Sequence, residues 1–520
     1  MAKICAYLVC WRRSTKGEIG VGLDETFESG RKRCRDRNPE KRPGTSLATI
    51  NRDNFSSETM NAFSLSGKGR ITQLIAIFCL WKALLLLLAA FCPGPGYDTS
   101  AVILLDASSR RHHDFSSLIR HERLTLNLLR WDALYFVKAA ERGLVHEQGW
   151  AFSGAYSYLL RLTGQFMAGS TQTPLHYYVL AGIVVSNVCH LLSVLVLYRL
   201  LTLVLVPQRR QIIPFIAAVL HILTPASLFM CAPYAEAMFS LLNFTGMLLY
   251  AQSQALAETG MSSIQEDIQK LGSGFCFAAA ALVRSNGLLS GVILLYDVAR
   301  YMPLVMSAQL SVHDLRRITV TCVAGSLIAL TFLGPQVLAY AEFCNRESGS
   351  ETRPWCDQSF PSIYSWVQSH YWNVGLFRYW TLSNLPLFLL AAPVSWLLLT
   401  SSVTILRSGV QRPLHGRPVP QTGGTAKPWN GTSAICKLPE LAFPQLILAL
   451  TAVTSFHVQI VNRIASGYPI WYLVVATWLV DSGSTARTEK GSQKARWYVQ
   501  GGIIYCLVQG MLYANFLPPA

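Results

Sequence analysis

Charge is scarce in this chain. Of its 520 residues only 14% are Asp, Glu, Lys or Arg, while 51% are hydrophobic, and the mean hydropathy is +0.32. That balance excludes a water-soluble enzyme. The short alternating segments that a membrane β-barrel requires are missing as well. Apolar residues instead cluster into runs near the length that crosses a hydrocarbon core of roughly 30 Å, the mark of a polytopic helical membrane protein. Thirteen cysteines include no closely spaced Cys/His set, so no zinc site is expected. Asp-x-Asp occurs nowhere, which argues against a nucleotide-sugar enzyme that holds a metal and a diphosphate between paired carboxylates. No internal repeat is visible, which argues against a transporter built of repeated halves. Nor does any soluble domain carry a basic stripe interleaved with stacking aromatics, so the net charge of +16 does not point to nucleic acid.

What is there is an ordered series of apolar runs: 71–91, 176–206, 212–232, 235–256, 271–298, 317–341, 381–405, 441–461, 469–482 and 497–516. Lys and Arg fall between them, at Arg209-Arg210, Arg316-Arg317, 407–427 and 487–496, as cytoplasmic loops require. A long polar region, 92–172, holds two expected amphipathic helices, 116–142 and 151–166, of the kind that lie in the interface plane. The basic loops place 1–70, 257–270, 299–317 and 406–440 in the cytosol. They place 92–172, Ala232–Glu236, 342–380 and 462–468 on the far side. Both flanks of 271–298 then belong to the cytosol, which a single crossing forbids. A break at Arg284-Ser285-Asn286-Gly287 restores the parity by making two short legs, and such breaks are tolerated where they line a cavity. About ten or eleven transmembrane segments follow, with a large first loop on the far side.

Residues 1–69 differ from the rest. They are polar and basic, with the run Arg31-Lys32-Arg33 followed by Arg35 and Arg37, and they read as a disordered cytosolic extension before a membrane domain at 70–520. Met60 opens a short polar lead directly before the first span and is a second candidate start. Lys82 lies inside that span, where a charge costs about 2.5–3.5 kcal/mol on translocon scales. Either it pairs with an acid inside the bundle or the strength of the span tolerates it. Cys344 and Cys356 flank a polar far-side stretch and are either a disulfide or two free thiols.

The chemistry-bearing residues gather on the far side. Asp132 follows Trp131 and precedes the helix-prone Ala133–Ala140. An Asp there is either a helix N-cap or, at a membrane face, a general base for a sugar hydroxyl, a role worth roughly 10²–10⁴-fold in rate. His146 and Glu147 share its loop and are candidates for holding an acceptor sugar; the alternative is a solvated loop. Glu236 stands in an apolar setting after Pro225 and Pro233, either functional or paired with a base for assembly. Arg284 and Asn286 flank the helix break, and Arg463, Tyr468 and Tyr472 surround another boundary. Arginines so placed either bind a lipid phosphate or snorkel to the interface. His370 lies in an aromatic-rich stretch, 360–380, suited to sugar recognition or to an interfacial belt.

These pieces in their order resemble the GPI mannosyltransferase 2 family, and its fungal members most. The matching stretches are Trp131-Asp132-Ala133-Leu134-Tyr135-Phe136-Val137-Lys138-Ala139-Ala140-Glu141-Arg142-Gly143 with His146-Glu147-Gln148, and Thr224-Pro225-Ala226-Ser227 with Ala232-Pro233-Tyr234-Ala235-Glu236. Arg284-Ser285-Asn286-Gly287, the segment Gln368–Gly375, and Ser466-Gly467-Tyr468-Pro469 with Trp471-Tyr472 complete the set. Gly149-Trp150 and Ser153-Gly154 depart from the family pattern. The resemblance implies an all-α fold of the polytopic type C glycosyltransferases in the endoplasmic reticulum membrane. It implies mannose transfer from dolichyl-phosphate mannose to a GPI precursor bearing one mannose, forming an α-1,6 bond on the lumenal side. A β-linked donor and an α product require inversion, for which one base and a leaving phosphate suffice. By this resemblance Asp132 is the base, Trp131 packs beside it, and Arg284 or Arg463 takes the phosphate. The other substrate-binding candidates are His146, Glu147, Glu236, Asn286, His370 and Tyr468. No metal or cofactor is expected, and a small accessory membrane subunit is compatible with the sequence. The rival readings are a non-catalytic membrane subunit and a lipid or solute transporter.

Overall fold

The computed structural model describes residues 52–515 and 517, apart from 93–95, 113–121, 207–211, 260–262, 345–352, 409–434 and 482–485. The expected basic extension up to residue 51, the Arg209-Arg210 loop and most of the 407–427 loop therefore lie outside the described residues. From the first span onward the chain runs α1 (Arg52–Phe91), α2 (Ser100–His112), α3 (Glu122–Leu128), α4 (Asp132–Arg142), α5 (Gly154–Ala168) and α6 (Leu175–Val204). There follow α7 (Ile213–Ile222), α8 (Glu236–Thr259), α9 (Ser263–Val283), α10 (Gly291–Ala299), α11 (Met302–Met306) and α12 (Val312–Cys344). The last are α13 (Ile363–Trp372), α14 (Leu385–Arg407), α15 (Phe443–Thr454), α16 (Val461–Ile464), α17 (Ile470–Val480) and α18 (Ala486–Ala514). Among the described residues the extended pairing is confined to one bridge, Leu205 with Cys436. The all-helical membrane architecture is what the apolar runs dictate.

Among the described residues, five stretches are long and apolar enough to cross a bilayer: Gly69–Phe91, Leu175–Val204, Ser285–Met306, Val312–Cys344 and Leu382–Arg407. The remaining runs fall on shorter apolar helices, Ile213–Ile222, Pro439–Thr454 and Ile470–Val480, or on helices with more polar residues. Of the latter, α8 buries Glu236, Ser240, Asn243, Ser253 and Gln254 inside the bundle. Polar groups so placed need partners within the protein.

The break in 271–298 is present. α9 stops at Val283, Arg284 is extended (φ −150°, ψ 133°), and a 3-10 turn, Ser285–Ser290, leads into α10. Ser and Asn compete with helical hydrogen bonding through their own side chains, and Gly287 permits the tight approach. A Cβ there would sit 2.5 Å from the Ala281 nitrogen. Lys270 on α9 pairs with Asp297 on α10. The two legs therefore return side by side, with Arg284 at the tip of a hairpin.

Two expectations change. The 116–142 segment is not one helix: α3 ends at Leu128, and α4 begins at Asp132 after Trp131 adopts φ 53°, ψ −125°. That backbone is costly for a non-glycine residue, and two phenols hold it. Tyr513 donates to the Leu128 carbonyl at 2.9 Å, and Tyr234 donates to the Arg130 carbonyl at 3.1 Å while accepting the Asp132 N–H at 3.1 Å. Lys82, in turn, meets no acid among the described residues. Its ammonium donates to the Met230 carbonyl at 2.7 Å and to the Cys231 thiol at 3.2 Å, with the Phe78 ring 5.3 Å away. The irregular segment around Pro225 and Pro233 leaves carbonyls free of helix bonds, and one of them takes the charge.

Cys344 and Cys356 form a disulfide. It closes a satellite core of Ala339, Trp355, Ile363 and Val367, separate from the main bundle.

A carboxylate–arginine chain as the candidate active site

Four charged side chains from four parts of the sequence meet in a line. Asp132 Oδ2 lies 2.8 Å from Arg463 Nη1, Arg463 Nε lies 2.8 Å from Glu236 Oε1, and the same oxygen accepts from Arg284 Nη1 at 2.7 Å. Each residue stands at the end of an element. Asp132 opens α4, Glu236 opens α8, Arg284 sits at the hairpin tip, and Arg463 lies in the one-turn α16. The Arg463 guanidinium also lies over the rings of Phe229 and Tyr234, at 5.1 and 5.5 Å. Burial acts to lower its pKa, but Glu236 and Asp132 outweigh that and hold it raised.

The two carboxylates differ in access. The Asp132 side chain is 30% exposed and that of Glu236 1%. Asp132 can meet a substrate, whereas Glu236 is an internal strut between two cations. Arg284 is 18% exposed, and its Nε has no hydrogen-bond partner among the described residues; neither has Glu236 Oε2. The arginines expected as phosphate binders are thus both paired with carboxylates.

The other residues singled out by sequence divide into two groups. Asn286 and Tyr468 join the site's wall. The Asn286 amide donates to the Tyr468 hydroxyl at 3.0 Å, and Tyr468 is fully buried. Trp131 supplies the strained residue before Asp132. Glu147 and His370 make their contacts outside the charged line. Glu147 is buried in the satellite core, accepting from the Trp355 indole at 3.1 Å and pairing with Arg353 at 3.5 Å. His146 is exposed, and His370 stacks on Trp366 with centroids 4.5 Å apart. Sequence reasoning missed Tyr234 and Tyr513, which set the backbone at Asp132. Tyr234 stood inside a quoted motif, two residues before Glu236, but nothing local announces its role. It also missed Tyr135, one turn beyond Asp132, exposed and stacked on Phe152 at 4.4 Å.

Residues 71–520 match the family model described as mannosyltransferase (PIG-V). The chain belongs to this family. A GPI mannosyltransferase 2 of Aspergillus oryzae is 39% identical over 464 residues, covering 88% of this chain and 97% of the relative. That of Aspergillus fumigatus is 40% identical over 455 residues, covering 86% and 93%. Among solved structures, an oligosaccharyltransferase of Archaeoglobus fulgidus aligns with a TM-score of 0.42 and 13% identity, over 81% of this chain and 53% of that one. That likeness is too remote to carry an argument. The four charged residues of the line all fall within the span matched to the PIG-V family.

Proposed function

We propose that this protein is a GPI-pathway mannosyltransferase of the endoplasmic reticulum membrane, with its site facing the lumen and 70–520 as the catalytic unit. The donor is dolichyl-phosphate mannose and the acceptor a GPI precursor bearing one mannose. In the reaction the acceptor's 6-hydroxyl attacks C1 of the donor mannose from the face opposite the phosphate. Its proton passes to Asp132, the new C–O bond forms, and the C1–O bond to phosphate breaks, leaving dolichyl phosphate and an α-1,6 product. Arg463 holds Asp132 Oδ2 and orients the carboxylate, leaving Oδ1 for the proton. Arg284, the more exposed of the two arginines at 18% against 14%, is the group suited to the phosphate. Tyr135 presents an aromatic face beside the base where the acceptor sugar would lie.

The observation that carries this reading is the difference in access between the two linked carboxylates, 30% for Asp132 against 1% for Glu236. Cells depleted of the protein should accumulate the one-mannose GPI intermediate, cleared by wild type and not by Asp132→Asn. Clearance by both would move catalysis away from Asp132. A normal lipid profile on depletion would remove the pathway and favour a scaffold or a transporter.

A further inference from the structure

Glu236 and Asn243 lie seven residues apart on α8, two turns along one face. Both reach the same two neighbours. Glu236 bridges Arg284 and Arg463. Asn243 bridges the turns that follow them: its Oδ1 accepts from Ser290 Oγ at 2.6 Å, at the end of the Ser285–Ser290 turn, and its Nδ2 donates to the Gly467 carbonyl at 2.9 Å, at the end of the Ala465–Gly467 turn. Asn243 and Ser290 are fully buried. The second turn is gripped throughout. The Ala465 carbonyl accepts from the Trp471 indole at 3.0 Å, and the Ser466 carbonyl from the Tyr472 hydroxyl at 3.2 Å. Gly467 presses on Phe239, where a Cβ would stand 2.3 Å from a ring carbon.

A buried amide is costly unless both its ends are satisfied. Here both are, and only an amide can do this. A carboxylate would accept from Ser290 but set an oxygen against the Gly467 carbonyl, and an aliphatic side chain would reach neither.

We infer that Asn243 is a positioning residue that fixes the spacing of Arg284 and Arg463, and through it the affinity of the site for the phosphate of an isoprenyl-phosphate lipid. The inference rests on the proposed function for the identity of that lipid. It acts through the two turns; Asn243 itself touches no substrate.

The test uses the full-length protein in detergent, as wild type, Ser290→Ala, Asn243→Asp and Asn243→Leu. Binding of a short-chain isoprenyl phosphate is measured on the folded fraction, alongside transfer kinetics. Affinity for the lipid phosphate should fall about threefold to tenfold in Ser290→Ala and at least tenfold in the Asn243 variants, with the KM for the acceptor within twofold of wild type. Where the Asn243 variants do not fold, Ser290→Ala decides. Unchanged phosphate affinity in folded variants overturns the inference, as does an equal rise in acceptor KM or a wild type that binds no isoprenyl phosphate. Binding without any transfer would sink the proposed reaction instead and leave the role of Asn243 to be judged on affinity alone.

Discussion

Asp132→Asn separates chemistry from architecture at this site. The substitution keeps the shape of the side chain and removes its charge and basicity. Its cost to folding is small, because Arg463 keeps Glu236 at 2.8 Å and is not stranded. A pair whose carboxylate is 30% exposed contributes about 1 kcal/mol or less. For a chain of this size that shifts the melting temperature by under about 3 °C. The rate falls far more. Loss of a general base costs roughly 10²–10⁴-fold, or about 2.7–5.5 kcal/mol of activation free energy. The assay is transfer of labelled mannose from dolichyl-phosphate mannose by purified protein, with a thermal melt on the same sample. Transfer within tenfold of wild type in a folded variant refutes the assignment. So does an activity loss that tracks the loss of folded protein, which would make Asp132 one more member of an ion-pair scaffold.

Glu236→Gln should show the opposite profile, because it removes a 1%-exposed carboxylate that Arg284 and Arg463 share, leaving Arg463 with Asp132 alone and Arg284 without its described ion pair. A loss of about 3–5 kcal/mol is expected, read as a drop in melting temperature well beyond that of Asp132→Asn; equal drops would deny Glu236 its central place. At Gly182→Ala the new Cβ meets the Pro233 Cβ at 2.4 Å and its Cα at 2.8 Å. Overpacking of that kind costs roughly 1–3 kcal/mol, and unchanged thermal stability would show that α6 and the Pro233 segment do not pack as described. Replacing Cys344 and Cys356 together by Ser removes a cross-link spanning 12 residues, worth about 3 kcal/mol in the chain-entropy account. Proteolysis within 342–380 should accelerate while the bundle's melting temperature holds; a change in the bundle alone would contradict the separateness of the satellite core.

The helices and the break at Arg284 were legible in the sequence because both are local. An apolar run of bilayer length has few other folds open to it, and Arg-Ser-Asn-Gly inside one is a poor helix. Orientation by basic loops then put the chemical residues on one side. What the sequence did not disclose is which of them touch. Asp132 and Arg463 are 331 positions apart, and no periodicity links them. The strained Trp131 was equally hidden. Leu-Arg-Trp-Asp contains no glycine to announce a positive φ, and the phenols that hold it come from Tyr234 and Tyr513. Lys82 shows the same limit from the other direction. For this buried ammonium the sequence offers an acid partner or a tolerated charge, and a carbonyl freed by irregular backbone satisfies it instead. Glu147 looked like part of the site because it shares a loop with Asp132; packing around the disulfide claimed it instead.

The alternation of charge along Asp132, Arg463, Glu236 and Arg284 has a physical reason beyond catalysis. Two unpaired guanidiniums would cost several kcal/mol each to bury. Two carboxylates offset that charge. On the proposed reading they also set a threshold for the donor, since a phosphate bound to Arg284 would share it with Glu236. Arg284 is the more exposed of the two arginines, 18% against 14%, and meets Glu236 through Nη1. Asp132 stands at the far end of the line, on the other side of Arg463 and 30% exposed, so on the proposed reading an acceptor reaches it without displacing the Arg284–Glu236 pair.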